Sequence, residues 1–402
     1  MTDPDTLRAQ FPILSRTVHD KPLVYLDTAS SAQKPRCVIE AVTRAYEDEY
    51  SNVHRGLHFL SNQVTEAYEE VRSIVARFLN APSEEEIVFT SGATAGINLV
   101  SYSWAAPRLE PGDEIVLSSM EHHANTVPWH FLRERQGVVL KWVECDATGY
   151  LDPERIAAAI GPKTRLVAVT HMSNILGTET DVAAICALAR ARGVPVLVDG
   201  SQTAVHLPVD VQAIGCDFYA VTGHKLYGPS GSGAIFIRRE RLEQMRPFFG
   251  GGDMVREVSR ETITYAGAPI RFEAGTPAIV PQIGFGVALE FLMTLGMQAV
   301  RRHEETLRDH ALRRLKEIDG LTLLGTAPAR GPLFSFVLDR GPSPQNIAMQ
   351  LDAQGIAVRA GTFCSRPILQ QLGLSGACRA SLGLYNTPSE IDLFCDAIRS
   401  LS

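Results

Sequence analysis

Two residues, Asp199 and Lys225, constrain this chain more than any other feature of its sequence. Asp199 is the last residue of the short apolar run VLVD, and Lys225 directly follows the run DFYAVTGH. A Gly/Pro/Ser turn follows the lysine. Short apolar runs bounded by turn residues predict buried strands. Because ligand sites of open α/β sheets lie at the carboxyl ends of strands, we expect the carboxylate and the amine to face one crevice.

An amine and a buried carboxylate in one crevice suit pyridoxal phosphate. The lysine would bond the aldehyde of the cofactor, and the carboxylate would pair with the protonated pyridine nitrogen and keep the ring an electron sink. A single lysine after a strand is more often a solvated surface residue. The combination of TGHKLYGP with the upstream DGSQ favours the cofactor site over that alternative.

Composition limits the size and the partners of the protein. With 402 residues and 45% hydrophobic content, the chain can form a large α/β domain with a smaller companion. A formal charge of −7 without a basic stripe argues against a nucleic-acid partner. We expect neither a signal peptide nor contact with a membrane, because no basic leader and no long apolar window is present.

The cysteines predict a reducing, cytoplasmic environment. Their odd number, wide spacing and lack of a C-x-x-C motif argue against a disulfide framework and a thiolate metal site. His54 and His58 have the i, i+4 spacing of a metal pair, but no acidic or thiolate third ligand accompanies them, so we expect no metal. The seven cysteines are Cys37, Cys145, Cys186, Cys216, Cys364, Cys378 and Cys395.

Alternating strand and helix patterns predict an α/β fold with a doubly wound, mostly parallel sheet. After about Thr276 a long helical pattern follows, and then short α+β elements that include the strand-like runs LFSFVLD, IAVRAG and ACRASLGLY. We therefore predict an N-terminal segment (residues 1–20), a large cofactor-binding domain (residues 21–295) and a small C-terminal domain (residues 296–402).

Two further stretches predict binding sites. In EEIVFTSGATAG a strand leads through small residues into a helix, whose free N–H groups could hold a phosphate at Ala93, Thr94 and Ala95, although an ordinary turn is also possible. In RAGTFCSRP, Cys364 lies in a turn, where a reactive thiol can meet a substrate. Downstream, Arg379 could bind a carboxylate bidentately, or be a surface cation.

Together these stretches resemble the class V aminotransferase, or NifS-like, family. The resemblance covers nearly the whole chain, through YLDTASSAQKP, NVHRGLHFLS, SMEHHANTVPW, THMSNILG, TGHKLYGP, RFEAGTP and CRASLGLYNT. Within the family these motifs are most similar to the SufS-type, group II cysteine desulfurases and selenocysteine lyases. The resemblance implies the fold type I of pyridoxal phosphate-dependent transferases and a homodimer.

The resemblance also implies roles for individual residues. His123 would stack on the pyridine ring and shuttle a proton, Asn174 and Gln202 would hydrogen-bond the phenolate oxygen, and Thr276 would reach the phosphate of the neighbouring subunit. The implied catalytic residues are Cys364, Lys225 and His123. The implied cofactor ligands are Lys225, Asp199, Gln202, His123, Thr94, Ala95, Asn174, Thr222, His224 and Thr276, and the implied substrate ligands are Arg379, Asn174, Ala29 and Arg359.

The implied reaction converts L-cysteine to L-alanine and leaves a persulfide on Cys364. An acceptor protein of the SufE or SufU type would then take the sulfur for iron–sulfur cluster assembly, and selenocysteine would react by the same route. The family usually has a histidine two positions before the cysteine, where this chain has Thr362, followed by Phe363. That departure leaves the activation of the thiol open, and the sequence names neither the acceptor nor the preferred substrate.

Two alternatives remain at this stage. An aminotransferase on the same fold needs Lys225 and the cofactor but no exposed cysteine, so Cys364 discriminates between the two enzymes. A non-catalytic scaffold that binds a cluster would need grouped cysteine thiolates, and the scatter of the cysteines argues against it.

Overall fold

The computed structural model describes residues 4–401 as a chain of alternating strands and helices. The strands are β1 (Thr17–Val18), β2 (Lys21–Pro22), β3 (Val24–Tyr25), β4 (Ile87–Thr90), β5 (Glu114–Ser118), β6 (Val139–Val143), β7 (Thr164–Thr170), β8 (Val196–Asp199), β9 (Phe218–Thr222), β10 (Gly233–Ile237), β11 (Val255–Val258), β12 (Ile263–Tyr265), β13 (Leu321–Leu324), β14 (Leu333–Leu338), β15 (Ile356–Ala357), β16 (Arg359–Gly361) and β17 (Ala377–Ser381).

The α-helices surround these strands and are joined by short 3₁₀ and π segments. They are α1 (Pro4–Arg8), α2 (Arg36–Arg44), α3 (Phe59–Leu79), α4 (Ala93–Leu99), α5 (Val127–Gln136), α6 (Pro153–Ala159), α7 (Val182–Arg190), α8 (Thr203–His206), α9 (Val211–Ile214), α10 (Arg239–Gln244), α11 (Ile279–Leu295), α12 (Met297–Lys316), α13 (Pro344–Asp352), α14 (Arg366–Gln371) and α15 (Pro388–Arg399).

A seven-stranded sheet in the order β4-β10-β9-β8-β7-β5-β6 forms the centre of the large domain. Strands β5 to β9 are parallel to one another, and β10 runs antiparallel to both β4 and β9. Val196 and Val198 of β8 pack into one core cluster and Leu197 into another, so helices cover both faces of the sheet. The predicted α/β fold class is thereby confirmed.

The alternating pattern predicts strands at EEIVFT, DEIVLSS, RLVAVTHMS, VPVLVDG and DFYAVTG, and these runs coincide with β4, β5, β7, β8 and β9. The mutually parallel strands among them direct their carboxyl ends to one edge of the sheet. The sequence prediction did not include β6 or β10. Strand β10 lies between β4 and β9, and therefore places the small-residue loop after β4 beside the residues that follow β9.

The small domain is built on the antiparallel sheet β13-β14-β17-β16, covered by α12, α13 and α15. The prediction of one strand over IAVRAG was wrong, because this run forms two strands in different sheets: β15 pairs with β3, and β16 pairs with β17. Val24 and Leu26 pack into the core cluster of this sheet. The domain boundaries at residues 20 and 295 stay a prediction.

The long helical pattern after Thr276 is two helices rather than one. Gly296, with φ +80°, ends α11 and begins α12, and the two helices are bent by 77°. Glycine adopts this backbone conformation without the steric cost that a side chain imposes. Among residues 4–401 no single helix is long and apolar enough to cross a membrane, and only this bent pair meets the length and composition test together.

Candidate active site

Lys225 and Asp199 line one cavity of about 270 Å³ at the carboxyl edge of the large sheet. Asp199 is the last residue of β8, and Lys225 follows the neighbouring parallel strand β9 by three residues. Burial lowers the pKa of the Lys225 amine to about 8, against the opposing attraction of Asp199. The amine is therefore more often neutral, and more nucleophilic, than that of an ordinary lysine.

Asp199 is held in place by its own turn. Its carboxylate is buried, and Oδ1 accepts hydrogen bonds from the backbone N–H and the hydroxyl of Ser201 at 3.0 and 2.5 Å. Ser201 also lines the cavity, and the sequence prediction did not include it. A carboxylate fixed in this way can pair with a cationic ring nitrogen without reorganising.

Residues 91–95, Thr222 and His224 line the same cavity, and among them are the residues predicted to bind a phosphate. Gly92 has φ +141°, and a Cβ atom there would approach Thr222 Oγ1 to 3.1 Å, so the backbone comes close to the cavity wall. The N–H groups of the first turn of α4 lack intrahelical acceptors. Burial lowers the pKa of His224 to about 4, which leaves its ring neutral.

The structure separates the two adjacent histidines. His122 lines the cavity, and burial together with the nearby Lys225 lowers its pKa to about 4. His123, the predicted ring-stacking residue, does not line the cavity; its backbone N–H donates to the carbonyl of Cys364 at 2.7 Å, and its Nε2 accepts from the Arg366 N–H at 3.4 Å. On geometry, His122 is the residue placed to contact a ring.

Asn174 lines the cavity, but its side chain is already engaged by the neighbouring loop. Nδ2 donates to the carbonyl of Phe363 at 2.8 Å, and Oδ1 accepts from the hydroxyl of Ser365 at 2.9 Å. Gln202 is buried behind the cavity wall and donates to the carbonyl of Ala29 at 2.8 Å. Its Oε1 has no hydrogen-bond partner among residues 4–401. The predicted contact of both amides with a phenolate oxygen stays a prediction.

Arg379 and Arg359 lie opposite each other in the β16–β17 pair and share the carboxylate of Asp27, at 3.3 Å from each arginine. Arg379 is buried and Arg359 is exposed, although both line the cavity. Nη1 of Arg379 donates to the carbonyl of Asn174 at 2.8 Å, and Nη2 donates to Ser30 Oγ at 2.6 Å.

The guanidinium keeps one buried donor for a ligand. Nε of Arg379 has no hydrogen-bond partner among the described residues. Burial lowers the pKa of Arg379 to about 10, against the attraction of Asp27, so the side chain is cationic at neutral pH. The sequence analysis gave Asp27 itself no binding role. The one sequence feature that could have indicated such a role is the position of its carboxylate just after the short strand β3.

Cys364 is exposed and lines the same cavity as Lys225 and Arg379. Its neighbour Phe363 is buried, and both residues have left-handed backbone conformations, with φ +55° and +53°. Burial raises the pKa of the cysteines in apolar settings, such as Cys186, to about 12. Cys364 is therefore the thiol placed to react with a ligand in the cavity.

Two other predicted residues have simple positions. Ala29 lines the cavity, whereas Thr276 is exposed on the loop before α11 and does not line the cavity of its own chain.

His54 and His58 contact different groups: His54 bonds to Glu69 at 2.8 Å, and His58 is the N-cap of α3. Among residues 4–401 no group of three or more potential ligands is placed to hold a metal ion.

The residues present fit pyridoxal phosphate. A buried amine of lowered pKa, a fixed carboxylate on the adjacent strand and a loop with free backbone N–H groups in the same cavity match the aldehyde, the pyridine nitrogen and the phosphate of that cofactor. Because Gly92 has no Cβ atom, the space beside Thr222 that a side chain would fill stays open. Fold and site together define an α/β enzyme with a lysine-anchored cofactor.

Comparison with known proteins identifies the family. The family model described as "Aminotransferase class-V" matches residues 24–394, and the chain belongs to this family. A probable cysteine desulfurase of Xylella fastidiosa (strain 9a5c) is 46% identical over 399 residues, which is 99% of this chain and 95% of the relative. The predicted family is thereby confirmed.

Solved structures agree with this assignment. The cysteine desulfurase CsdA from Escherichia coli (S-sulfonic acid) has a TM-score of 0.90 and 38% identity, covering 99% of this chain and 98% of that chain. A mutant of C-DES with glycine covalently linked to its PLP cofactor has a TM-score of 0.85 and 25% identity, covering 98% of this chain and 99% of that chain.

Proposed function

We propose that this chain is a pyridoxal phosphate-dependent cysteine desulfurase, which converts L-cysteine to L-alanine and leaves the sulfur on Cys364 as a persulfide. One observation carries the proposal: the exposed thiol of Cys364 lines the same cavity as the lysine and the arginine that the reaction needs. The full-length similarity to proteins named cysteine desulfurase supports it. An aminotransferase would have no use for this thiol.

Residues of the large domain hold the cofactor. Lys225 would bond its aldehyde, Asp199 would pair with the pyridine nitrogen, and residues 91–95 with Thr222 and His224, which line the same cavity, would bind its phosphate. When bound, pyridoxal phosphate takes up the amino group of the substrate and stabilises negative charge at Cα. His122, on the wall of the cavity and neutral at neutral pH, packs against the ring.

Residues of the small domain bind and orient L-cysteine. Arg379, a cation that lines the cavity, binds the substrate carboxylate, for which a planar guanidinium is suited. Arg359 lies beside it and adds positive charge at the cavity opening. Lys225, whose amine has a pKa lowered by burial to about 8, would be the base that removes the Cα proton of the substrate.

Cys364 then takes the sulfur. Its thiolate attacks the substrate sulfur, the C–S bond breaks, and its electron pair stays with the carbon skeleton. Protonation of that carbon gives L-alanine, so L-cysteine and the Cys364 thiol yield L-alanine and the Cys364 persulfide without an external oxidant. Besides the cofactor, the step requires only the thiol and the acid–base residues of the cavity.

The exposure of Cys364 supports onward transfer of the sulfur to a second protein. We assign the chain to the SufS-type subgroup on its sequence motifs, with an acceptor of the SufE or SufU type and a role in iron–sulfur cluster assembly. Selenocysteine, whose carbon–selenium bond is cleaved by the same attack, is a second substrate. Seven free cysteines support a reducing, cytoplasmic location.

A homodimer is part of the proposal. Leu57 is fully exposed, and Phe59 and Phe249 are 77% and 62% exposed. An ion pair of 2.6 Å joins Arg55 to Asp253 and brings these two stretches together. Large exposed apolar side chains that lie together mark protein–protein interfaces. Thr276 is exposed and does not line the cavity of its own chain, and it would reach the phosphate bound in a second copy.

The test is an assay for alanine and sulfide from L-cysteine. The purified chain, loaded with pyridoxal phosphate and supplied with a thiol reductant, should release both products in equal amounts. Lys225→Ala should release neither, and Lys163→Ala, a change at an exposed lysine, should match the wild type. Transfer of the amino group to a 2-oxo acid without sulfide release would contradict the proposal and favour an aminotransferase.

A further inference from the structure

Phe363 occupies an unusual place in the loop that carries the nucleophile. We call residues 362–365, between β16 and α14, the cysteine loop. Within it Cys364 is exposed, whereas the side chain of Phe363 is 7% exposed and belongs to the main hydrophobic core cluster. The loop is therefore attached to the protein by the residue that immediately precedes the thiol.

The backbone of the cysteine loop is strained. Phe363 and Cys364 have consecutive left-handed conformations, with φ +53° and +55°, which residues with a side chain adopt rarely and at a cost in free energy. Such a conformation persists only where surrounding contacts fix it. Here the Phe363 carbonyl accepts from Asn174 Nδ2 at 2.8 Å, and the Cys364 carbonyl accepts from the His123 N–H at 2.7 Å.

The ring of Phe363 lies against the guanidinium of Arg379. The Cζ atom of Arg379 is 4.9 Å from the ring centroid, within the range of a cation–π contact. Asn174, Ser30 and Asp27 fix the edges of the same guanidinium by hydrogen bonds. The guanidinium is therefore held by the ring as well as by these hydrogen bonds.

We propose that Phe363 is a positioning residue, which fixes the position of the carboxylate anchor, Arg379, relative to the nucleophile, Cys364. Its ring orients Arg379, and its left-handed backbone turns Cys364 outward into the cavity. A substrate held by Arg379 is thereby presented to the thiol of the very next residue along the loop. The inference rests on the proposed function, since it assigns to Phe363 the geometry of the sulfur-transfer step.

Phe363→Leu tests the inference, because leucine keeps an apolar side chain in the core and removes the aromatic face. In the loaded full-length enzyme it should raise KM for L-cysteine and the Kd of L-alanine about tenfold, the effect of a lost desolvated cation–π contact. It should also speed amide hydrogen exchange in the peptide covering residues 361–366, with or without the cofactor. Phe363→Tyr, which keeps the ring, should restore KM to near the wild-type value.

Phe394→Leu is the matched control. Phe394 is a buried phenylalanine of the same domain, which packs on Phe336 and does not line the cavity. It should lower the melting temperature while KM and the exchange of residues 361–366 stay unchanged. The inference is overturned if Phe363→Leu behaves like this control, or if Phe363→Tyr is no better than leucine.

The two hypotheses fail in different ways. If the wild type makes no alanine from L-cysteine, the proposed function is wrong. The rate of amide hydrogen exchange in the cofactor-free protein then still shows whether Phe363 rigidifies the cysteine loop. If the wild type is active and the Phe363 variants match the control, the proposed function stands and only the positioning role falls.

Discussion

Arg379→Lys keeps the positive charge of the predicted carboxylate anchor and removes its planar fork. In the structure the two Nη atoms donate to the Asn174 carbonyl, Ser30 Oγ and the Asp27 carboxylate, and Nε keeps a free donor among the described residues. A lysine ammonium is a point charge on a flexible stem and cannot reproduce that pattern. Substrate binding should weaken while the cofactor site stays intact.

The size of the loss follows from the contacts. A bidentate carboxylate contact is two charge-assisted hydrogen bonds, each worth about 1.5–3 kcal/mol, and lysine can keep one of them. We therefore expect a loss of about 2 kcal/mol, which corresponds to a rise of about thirtyfold in KM for L-cysteine and in the Kd of L-alanine. The absorption of the bound cofactor should not change.

Arg330→Lys is the control for this measurement. Arg330 is also buried, has a pKa that burial lowers to about 10, and donates to the carbonyls of Gly325 and Leu333, but it does not line the cavity. Its replacement should lower the melting temperature and leave KM unchanged. If Arg379→Lys gives a KM within about threefold of the wild type, Arg379 is not the carboxylate anchor.

Three further predictions concern the cofactor end of the cavity. The first is the pH dependence of covalent cofactor uptake by the cofactor-free protein, followed by absorbance. Because only the neutral Lys225 amine attacks, the rate should rise with pH and level off above about pH 8 rather than pH 10.5. A rate that continued to rise up to pH 10.5 would contradict the lowered pKa. His122→Gln should slow desulfuration about a hundredfold, and His123→Gln much less; equal losses would return the role to His123. Asp199→Asn should slow the exchange of the L-alanine Cα hydrogen with solvent deuterium about a hundredfold by NMR, at unchanged stability; an unchanged exchange rate would remove Asp199 from the ring contact.

Local sequence was sufficient to predict the cofactor end of the site. Asp199 and Lys225 follow two apolar runs that are short enough to be strands, and parallel neighbours in one sheet bring their ends together without any further information. The same logic placed residues 93–95 at the cavity. It did not place Ser201, whose bond to Asp199 depends on the shape of a single turn.

Adjacent residues are harder to distinguish. His122 and His123 have the same side chain, and only the turn that begins at His123 decides which of them faces the cavity. A shift of one residue in such a turn reverses the assignment. The resemblance assigned the ring contact to His123, whereas His122 is the histidine that lines the cavity, and the ring contact itself stays a prediction.

The substrate end depends on contacts between distant parts of the chain. Asp27 meets Arg379 across 352 positions of sequence, and the pairing of β16 with β17 brings Arg359 beside them. The burial of Phe363 against Arg379 is likewise a tertiary contact. Periodicity and turn signals contain no information on such contacts, so Asp27 and Phe363 had no predicted binding role.

The most direct test of the account is the fate of the substrate sulfur. The enzyme, loaded with pyridoxal phosphate, is mixed with L-cysteine in the absence of a reductant, and the reaction is quenched. The protein is then digested, and the mass of each cysteine-containing peptide is measured by mass spectrometry. We predict one added sulfur atom on the Cys364 peptide, matched by one L-alanine per chain, in the wild type and in Cys37→Ser, which removes the half-buried thiol of α2. Cys364→Ser should bind L-cysteine and release no alanine. Alanine formation by Cys364→Ser at the wild-type rate, or added sulfur on any cysteine other than Cys364, would contradict the assignment of Cys364 as the nucleophile.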